Sequence, residues 1–275
     1  REEKADPDTF AVERRAHWQA TVDAFLDPAK IDEMFDNELE MCHSGALGTY
    51  YSAHGDPGVV NDSFGFAVAH VVHAEDGFDH VVFDLVHEWD PADFEGHTVD
   101  YTTVQEDLWS FVQSFPLDRL TFDQHHSMGF TAELTKRIRA HRLPKQCQVA
   151  IINETAPYNL KVAQTFKVAL NQGWIHAPRH EMARLQLRFL QFVNGKVTHQ
   201  TVGQIQHDDV ARAMFEVTFA LLERQVSGFL MGETNLRPSM AGGVKPWMHP
   251  GSDADREIME KFSPRGRGGL RPGEG

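Results

Sequence analysis

Five aspartates occupy positions from which a carboxylate can do chemistry. Asp56 and Asp62 flank the turn in GDPGVVND, immediately before the apolar run SFGFAVAHVV. Asp123 closes the short apolar stretch LTFD and is followed by Gln124, His125 and His126. Asp208 and Asp209 open HDDVARAMFEV. Ionised carboxylates that converge repel one another, and a divalent cation removes that penalty. A donor set made only of oxygen selects a hard ion such as Mg²⁺ or Mn²⁺ over zinc. The chemistry to expect, if these acids meet, is that of a divalent-metal centre.

Each acid also has a structural reading. Asp-Pro-Gly is a common turn sequence, which accounts for Asp56 alone. Asp62 can simply begin a strand, Asp123 can sit in a surface loop, and Asp208 can be an N-cap. The ordered combination carries more weight than any member, because the acids fall at the ends of separate elements. In open α/β sheets, ligands bind outside strand ends.

The elements that must bring the acids together follow from periodicity. Phe10, Arg14, Trp18, Val22 and Phe25 recur at helical spacing within 7–40, with a break at Asp27-Pro28 and a second short helix from there. Residues 49–56, 63–74 and 78–90 are rich in Val, Phe and Tyr between turn residues, predicting an antiparallel meander of three strands. Helices are expected over 98–114, 130–143, 156–173 and 181–193, and a long amphipathic one over 207–225. Strands are expected at 117–123, 146–153 and 196–202, with a tight turn at Asn194-Gly195. Strands alternating with helices imply parallel pairing, so the fold class is α/β with a mixed central sheet flanked by helices. Residues 233–275, dense in Gly, Pro and Arg, read as a largely disordered tail.

Composition narrows the class. The chain has 275 residues, 41% hydrophobic and 24% charged, as expected of a folded soluble domain. FGFAVAHVV, its longest apolar stretch, is too short to span a bilayer, so no membrane partner is expected. The first residue is Arg1 and no secretory signal is visible, which predicts a processed or excised piece. Cys42 and Cys147 read as buried small residues in a reducing compartment, without metal-ligand spacing. The net charge of −14 argues against nucleic acid, but residues 1–135 carry 6 Lys/Arg against 28 Asp/Glu and residues 136–275 carry 20 against 12. An acidic chain can therefore present a basic face. Lys136, Arg137, Arg139, Arg142 and Lys145 form a basic helix end that either approaches phosphates or complements the helix dipole. Arg265, Arg267 and Arg271 either contact nucleic acid or a partner protein or merely solubilise the tail. His125-His126 lacks a zinc partner motif, and no phosphate-binding P-loop is present.

In these stretches the chain resembles the C-terminal nuclease domain of the large terminase subunit of tailed bacteriophages, which has an RNase H-like fold. YYSAHGDPGVVNDSFGFAVAH looks like the family's first strand pair, FDLVHEWDP its third strand and LTFDQHHS its fourth. GKVTHQTVGQIQHDDVARAM looks like its final segment. The resemblance covers roughly residues 7–230, and DPDTFAVERRAHW resembles the connector that follows the family's motor domain. It implies a helical connector over 1–47, a nuclease domain over 48–232 and the tail over 233–275. It further implies an endonuclease that cuts concatemeric double-stranded DNA during genome packaging, by hydrolysis with two Mg²⁺ or Mn²⁺ ions. Asp56, Asp123 and Asp209 would be catalytic. Asp56 would bridge the ions, with Asp123 and Asp208 or Asp209 holding one each and Asp62 as an auxiliary ligand.

The implied partners are the portal protein, the small terminase subunit and an ATPase motor, at the packaging complex in the host cytoplasm. The chain departs from the family in lacking the motor and in carrying Arg212 where an acid is frequent. That leaves open which of Asp208 and Asp209 is the direct ligand; Asp209 is favoured, with Asp208 as cap or second ligand. Two rival readings are a resolvase of the same fold acting on branched DNA, and a non-catalytic DNA- or portal-binding packaging module.

Overall fold

The computed structural model describes residues 24–231 apart from residue 37 and the stretches 59–62, 125–127, 142–146 and 200–206. Asp62, His125, His126, Arg142, Lys145 and the expected tail lie outside the described residues, as does the helical pattern before residue 24.

A seven-stranded sheet organises the chain. Strands β2 (Tyr51–Pro57), β3 (Phe64–His73) and β4 (Asp79–Trp89) form the antiparallel meander expected. Strand β5 (Leu117–Phe122) pairs parallel with β2, and β6 (Gln148–Ile151) pairs parallel with β5. On the other side, β7 (Ile175–Pro178) lies parallel to β4, and the two-residue β1 (Phe35–Asp36) is parallel to β7. An antiparallel meander continued by parallel strands is the mixed central sheet expected.

Size alternation along β3 explains how helices cover this sheet. Phe64, Phe66 and Val68 point to one face, where they pack with Leu108, Val112 and Trp89 under α2 (Tyr101–Ser114). Helix α3 (Met128–His141) lies on the same side through Leu134 and Ile138. The intervening Gly65, Ala67 and Ala69 are small, so a helix on the other face can approach closely. Helix α6 (Asp209–Leu230) does so; it is buried on nearly every side, with Ala211, Met214, Phe215 and Leu222 in the core against Ala67 and Ala69. Helix α4 (Ala156–Gln172) packs beside it, with Pro157 in its first turn. Gly173 terminates α4 in the left-handed conformation (φ 73°), its N–H bonded to the carbonyls of Ala169 and Leu170.

Two elements differ from the periodicity. Residues 181–193 are not one helix: α5 (Glu181–Arg188) stops, and Leu190–Val193 (β8) pairs antiparallel with Lys196–His199 (β9). The Asn194-Gly195 turn decides this. Both residues have positive φ (52° and 79°), the geometry that closes a two-residue hairpin. β9 therefore pairs in this separate hairpin, outside the main sheet.

The described part of the N-terminal segment is integrated with the rest: α1 (Pro28–Met34), capped by Asp27, packs Ile31 and Met34 into the core. Cys147 is buried as expected, whereas Cys42 is exposed; both are free thiols. Among the described residues no helix is long and apolar enough to cross a membrane.

Candidate active site

The parallel pairing of β2 with β5 puts two acids side by side. Gly55 is in register with Phe122, so Asp56 on β2 and Asp123, the first residue beyond β5, follow next to one another. Both are buried, at 6% and 7% exposure. Across the meander, Asp56 pairs with Gly65 and Gly65 with Glu88. Directly opposed residues project to the same face, so a row of Asp56, a gap at Gly65, and Glu88 results. The N-terminus of α6 fills the gap. A Cβ on Gly65 would lie 2.4 Å from the Asp209 backbone C and O and 2.6 Å from the Val210 N. Absence of that side chain seats Asp209 between the strands, where its Oδ2 accepts a 2.8 Å hydrogen bond from Ser63 Oγ.

Asp208 and Asp209 have distinct surroundings. Asp208 occupies the N-cap position of α6, but its side chain caps no N–H. Instead its Oδ2 lies 3.2 Å from Arg212 Nε and its Oδ1 lies 3.4 Å from His199 Nδ1. Burial works to raise the Asp208 carboxyl; His199 and Arg212 outweigh it and hold the group below its usual range.

Asp56 goes the other way. Burial raises its pKa well above the carboxylate range, and Asp209, Asp123 and Glu154 add to the rise against the opposing pull of Arg212. Its Oδ2 is buried without a hydrogen-bond partner. Sequence reasoning missed Glu154, which lies three residues beyond β6 at the same sheet end and accepts a 3.0 Å hydrogen bond from Asn159 Nδ2. Its one local signal is an acid after a strand-like QVAII, and only the β5–β6 pairing gives that position meaning.

The acids and their donors therefore suit a hard divalent cation. All candidate ligands are carboxylate oxygens, Asp56 has an oxygen with no partner, and a cation there would relieve the mutual repulsion of Asp56, Asp123 and Asp209. Among the described residues no three such side chains close into a preformed cage. Beside the acids, a cavity of about 270 Å³ opens between α4, α6 and β9, lined by Asn159, Leu160, Lys196, Asp208, Arg212 and Phe215.

The basic helix end is divided. Arg137 on α3 bonds Glu106 on α2 at 2.7 Å and Glu133 at 3.2 Å, so it ties two helices together. Lys136 is largely exposed at 3.8 Å from Glu133, and with Arg139 it lines a shallow depression against β6.

Behind the acids, Glu216 on α6 is buried and accepts a 2.7 Å hydrogen bond from the Tyr158 hydroxyl. Burial pushes its pKa up to about 7 against the pull of Tyr158. Such a carboxyl contributes stability below its unfolded pKa, and this is lost as pH rises through the folded value. The wild-type melting temperature should therefore fall between about pH 4.5 and pH 7 for this reason. Glu216→Gln, which keeps an acceptor for Tyr158, should flatten that fall, by about 2–4 °C for each kcal/mol of charge burial relieved. Thermal melts of the two proteins at pH 5 and pH 8 check this; equal pH slopes would refute it.

No protein-family profile matches the sequence, and no curated protein sequence does. Solved structures match by fold. The large terminase nuclease from thermophilic phage G20c superposes with a TM-score of 0.53 at 10% identity, over 72% of this chain and 98% of that one. The same nuclease with bound magnesium gives 0.52 at 10% identity, over 72% and 97%. The HK97 bacteriophage large terminase gives 0.51 at 16% identity, over 79% of this chain and 47% of that one. The chain thus spans nearly all of the first and about half of the last. What is shared at these identities is the fold.

Proposed function

We propose that this chain, which has the fold of a large terminase nuclease, is a divalent-metal-dependent endonuclease that cuts double-stranded DNA during viral genome packaging. The observation that carries the reading is the convergence of buried Asp56 and Asp123, at the carboxyl end of a parallel strand pair, with half-buried Asp209 at the start of α6, one Asp56 oxygen lacking any partner. Isolated, such a trio is electrostatically unfavourable, and a bound cation gives it a purpose.

Asp56, Asp123 and Asp209 would hold the divalent cation. When bound, the cation lowers the pKa of the attacking water and offsets the charge of the scissile phosphate. The chain's own residues position and insulate. Ser63 fixes one Asp209 oxygen, and the β2–β5 pairing fixes the spacing of Asp56 and Asp123. Water adds to phosphorus and the P–O3′ bond breaks, leaving a 5′-phosphate and a 3′-hydroxyl. The proton lost by the water and the one gained by the 3′-oxygen balance. Lys136 and Arg139 would meet the duplex backbone, contacts that position DNA without reading sequence. The portal, the small subunit and an ATPase motor are the partners this reading requires, at the packaging complex in the host cytoplasm.

Plasmid cleavage with titrated Mg²⁺ or Mn²⁺ tests the proposal. Nicking and linearisation should appear with metal, vanish with EDTA and fall by about 10²-fold or more in folded Asp123→Asn, the scale of losing one charge-stabilising group. Cleavage confined to four-way junctions would instead indicate a resolvase. Cleavage undiminished in Asp123→Asn would remove the acids from the mechanism.

A further inference from the structure

Helix α6 begins without the usual help from its own cap. An aspartate at an N-cap ordinarily accepts a hydrogen bond from the second or third N–H of its helix. Asp208 does not, because its oxygens face Arg212 and His199. The third N–H, that of Ala211, is taken from outside: it donates to Gln186 Oε1 on α5 at 3.0 Å. Ala211 and Gln186 are both buried, so loss of this acceptor would strand the donor away from water.

The orientation of the Gln186 amide follows from its chemistry. Turned over, its NH₂ group would meet the Ala211 N–H, donor against donor. With Oε1 on α6, Nε2 is directed at Glu88 Oε1 on β4, 3.5 Å away. Glu88 is in turn hydrogen-bonded to the Ser63 side chain, and Ser63 Oγ donates to Asp209 Oδ2. A closed circuit results. One branch from Gln186 holds the backbone two residues after Asp209, and the other reaches the Asp209 carboxylate through Glu88 and Ser63. Helix α5 is itself anchored, with Ala183 and Leu187 in the core and with Arg184 and Arg188 bonded to Asp32 on α1.

We infer that Gln186 is a positioning residue for the metal centre: it sets where α6 begins and so places the Asp209 carboxylate against Asp56 and Asp123. The inference rests on the nuclease reading above. The gap at Gly65 permits the close approach of α6, but a missing side chain only makes room. Gln186 supplies the directed contact that selects one position, and it acts through α6 and Glu88 without touching the reacting atoms.

Mn²⁺ affinity of the full chain, measured by calorimetric titration, tests this without reference to activity. Gln186→Met keeps the length of the side chain and removes both polar groups. It should weaken Mn²⁺ binding by about tenfold or more, the scale of losing a group that orients a metal ligand. Gln186→Asn, whose amide is one methylene short of Ala211, should do the same, so the test survives if the Met variant does not fold. Gln225 is the control: it is equally buried towards the other end of α6, and its amide bonds the N–H and carbonyl of Asp79 at 2.7 and 2.9 Å. Gln225→Met should lower the melting temperature yet leave Mn²⁺ affinity within about twofold, as for sites far apart. Unaltered affinity in the Gln186 variants would overturn the inference alone. Equal weakening in Gln225→Met would overturn it too, because affinity would then follow the stability of the helix as a whole. Absence of Mn²⁺ binding by the wild type would overturn the nuclease reading and the inference together.

Discussion

Replacing Asp56 by Asn is expected to abolish metal-dependent cleavage and, in the same protein, to raise the melting temperature measured without metal. The two effects share a cause. Asp56 is buried, one of its oxygens has no partner, and Asp209, Asp123 and Glu154 crowd its charge. A carboxyl with a raised folded-state pKa contributes stability only below its unfolded value, and that contribution is lost as pH rises through the folded one. At neutral pH the wild type therefore carries a cost that a neutral amide does not. The gain should read as about 2–4 °C for each kcal/mol recovered.

Divalent metal should reverse the ranking. Mn²⁺ stabilises whichever protein binds it by mass action, so it should raise the wild-type melting temperature and leave Asp56→Asn nearly unmoved. Calorimetric melts with and without Mn²⁺, beside plasmid cleavage, check all of this. A variant less stable than the wild type in EDTA would show that Asp56 is held by favourable contacts and would refute the account.

Gly65→Ala is the second large effect. The added Cβ would fall 2.4 Å from the Asp209 carbonyl group. The obstruction is backbone at the start of a buried helix, so no side chain can rotate aside. The helix must lift or the strand must bend, at about 1–3 kcal/mol, the usual cost of overpacking a core. Asp209 moves with the helix, and a displacement of about 1 Å in a reacting group can cost ~10²-fold in rate. Gly129→Ala on α3 is the control: nothing lies within 4 Å of its Cβ position, so stability and cleavage should be unchanged or slightly improved. Denaturant unfolding and Mn²⁺ affinity of the two variants decide the matter. A Gly65→Ala protein with unaltered affinity would mean that the close approach does not set the position of Asp209.

The meander was legible because Phe64 to His73 and Asp79 to Trp89 are strand-rich runs between turn residues, and α6 because its apolar stripe begins right after two acids. Strand β7 was not: its four residues are all buried, so Ile175–Pro178 shows no alternation to read. β8 was hidden because the apolar spacing of α5 runs on into it, and only the pairing across Asn194-Gly195 separates the two. At the site, Asp56, Asp123, Asp208 and Asp209 could be named from their places at element ends. Glu154, the salt bridge of Arg212 and the gap at Gly65 could not. Each depends on which segment lies opposite, a property of sheet order and helix docking that no local pattern encodes.

Helix α6 has a consequence for synthesis of the chain. It supplies both Asp209 and a large share of the core, and it is the last element described, meeting strands formed some 150 residues earlier. The first two acids leave the ribosome long before the third. At about 5–20 residues per second, the interval is several seconds or more. Any fragment that ends before α6 lacks part of the cluster and the packing that would hold the rest in place. On the nuclease reading, a nascent or prematurely terminated copy would lack the complete acid cluster, and cutting competence would arrive only once α6 has been made.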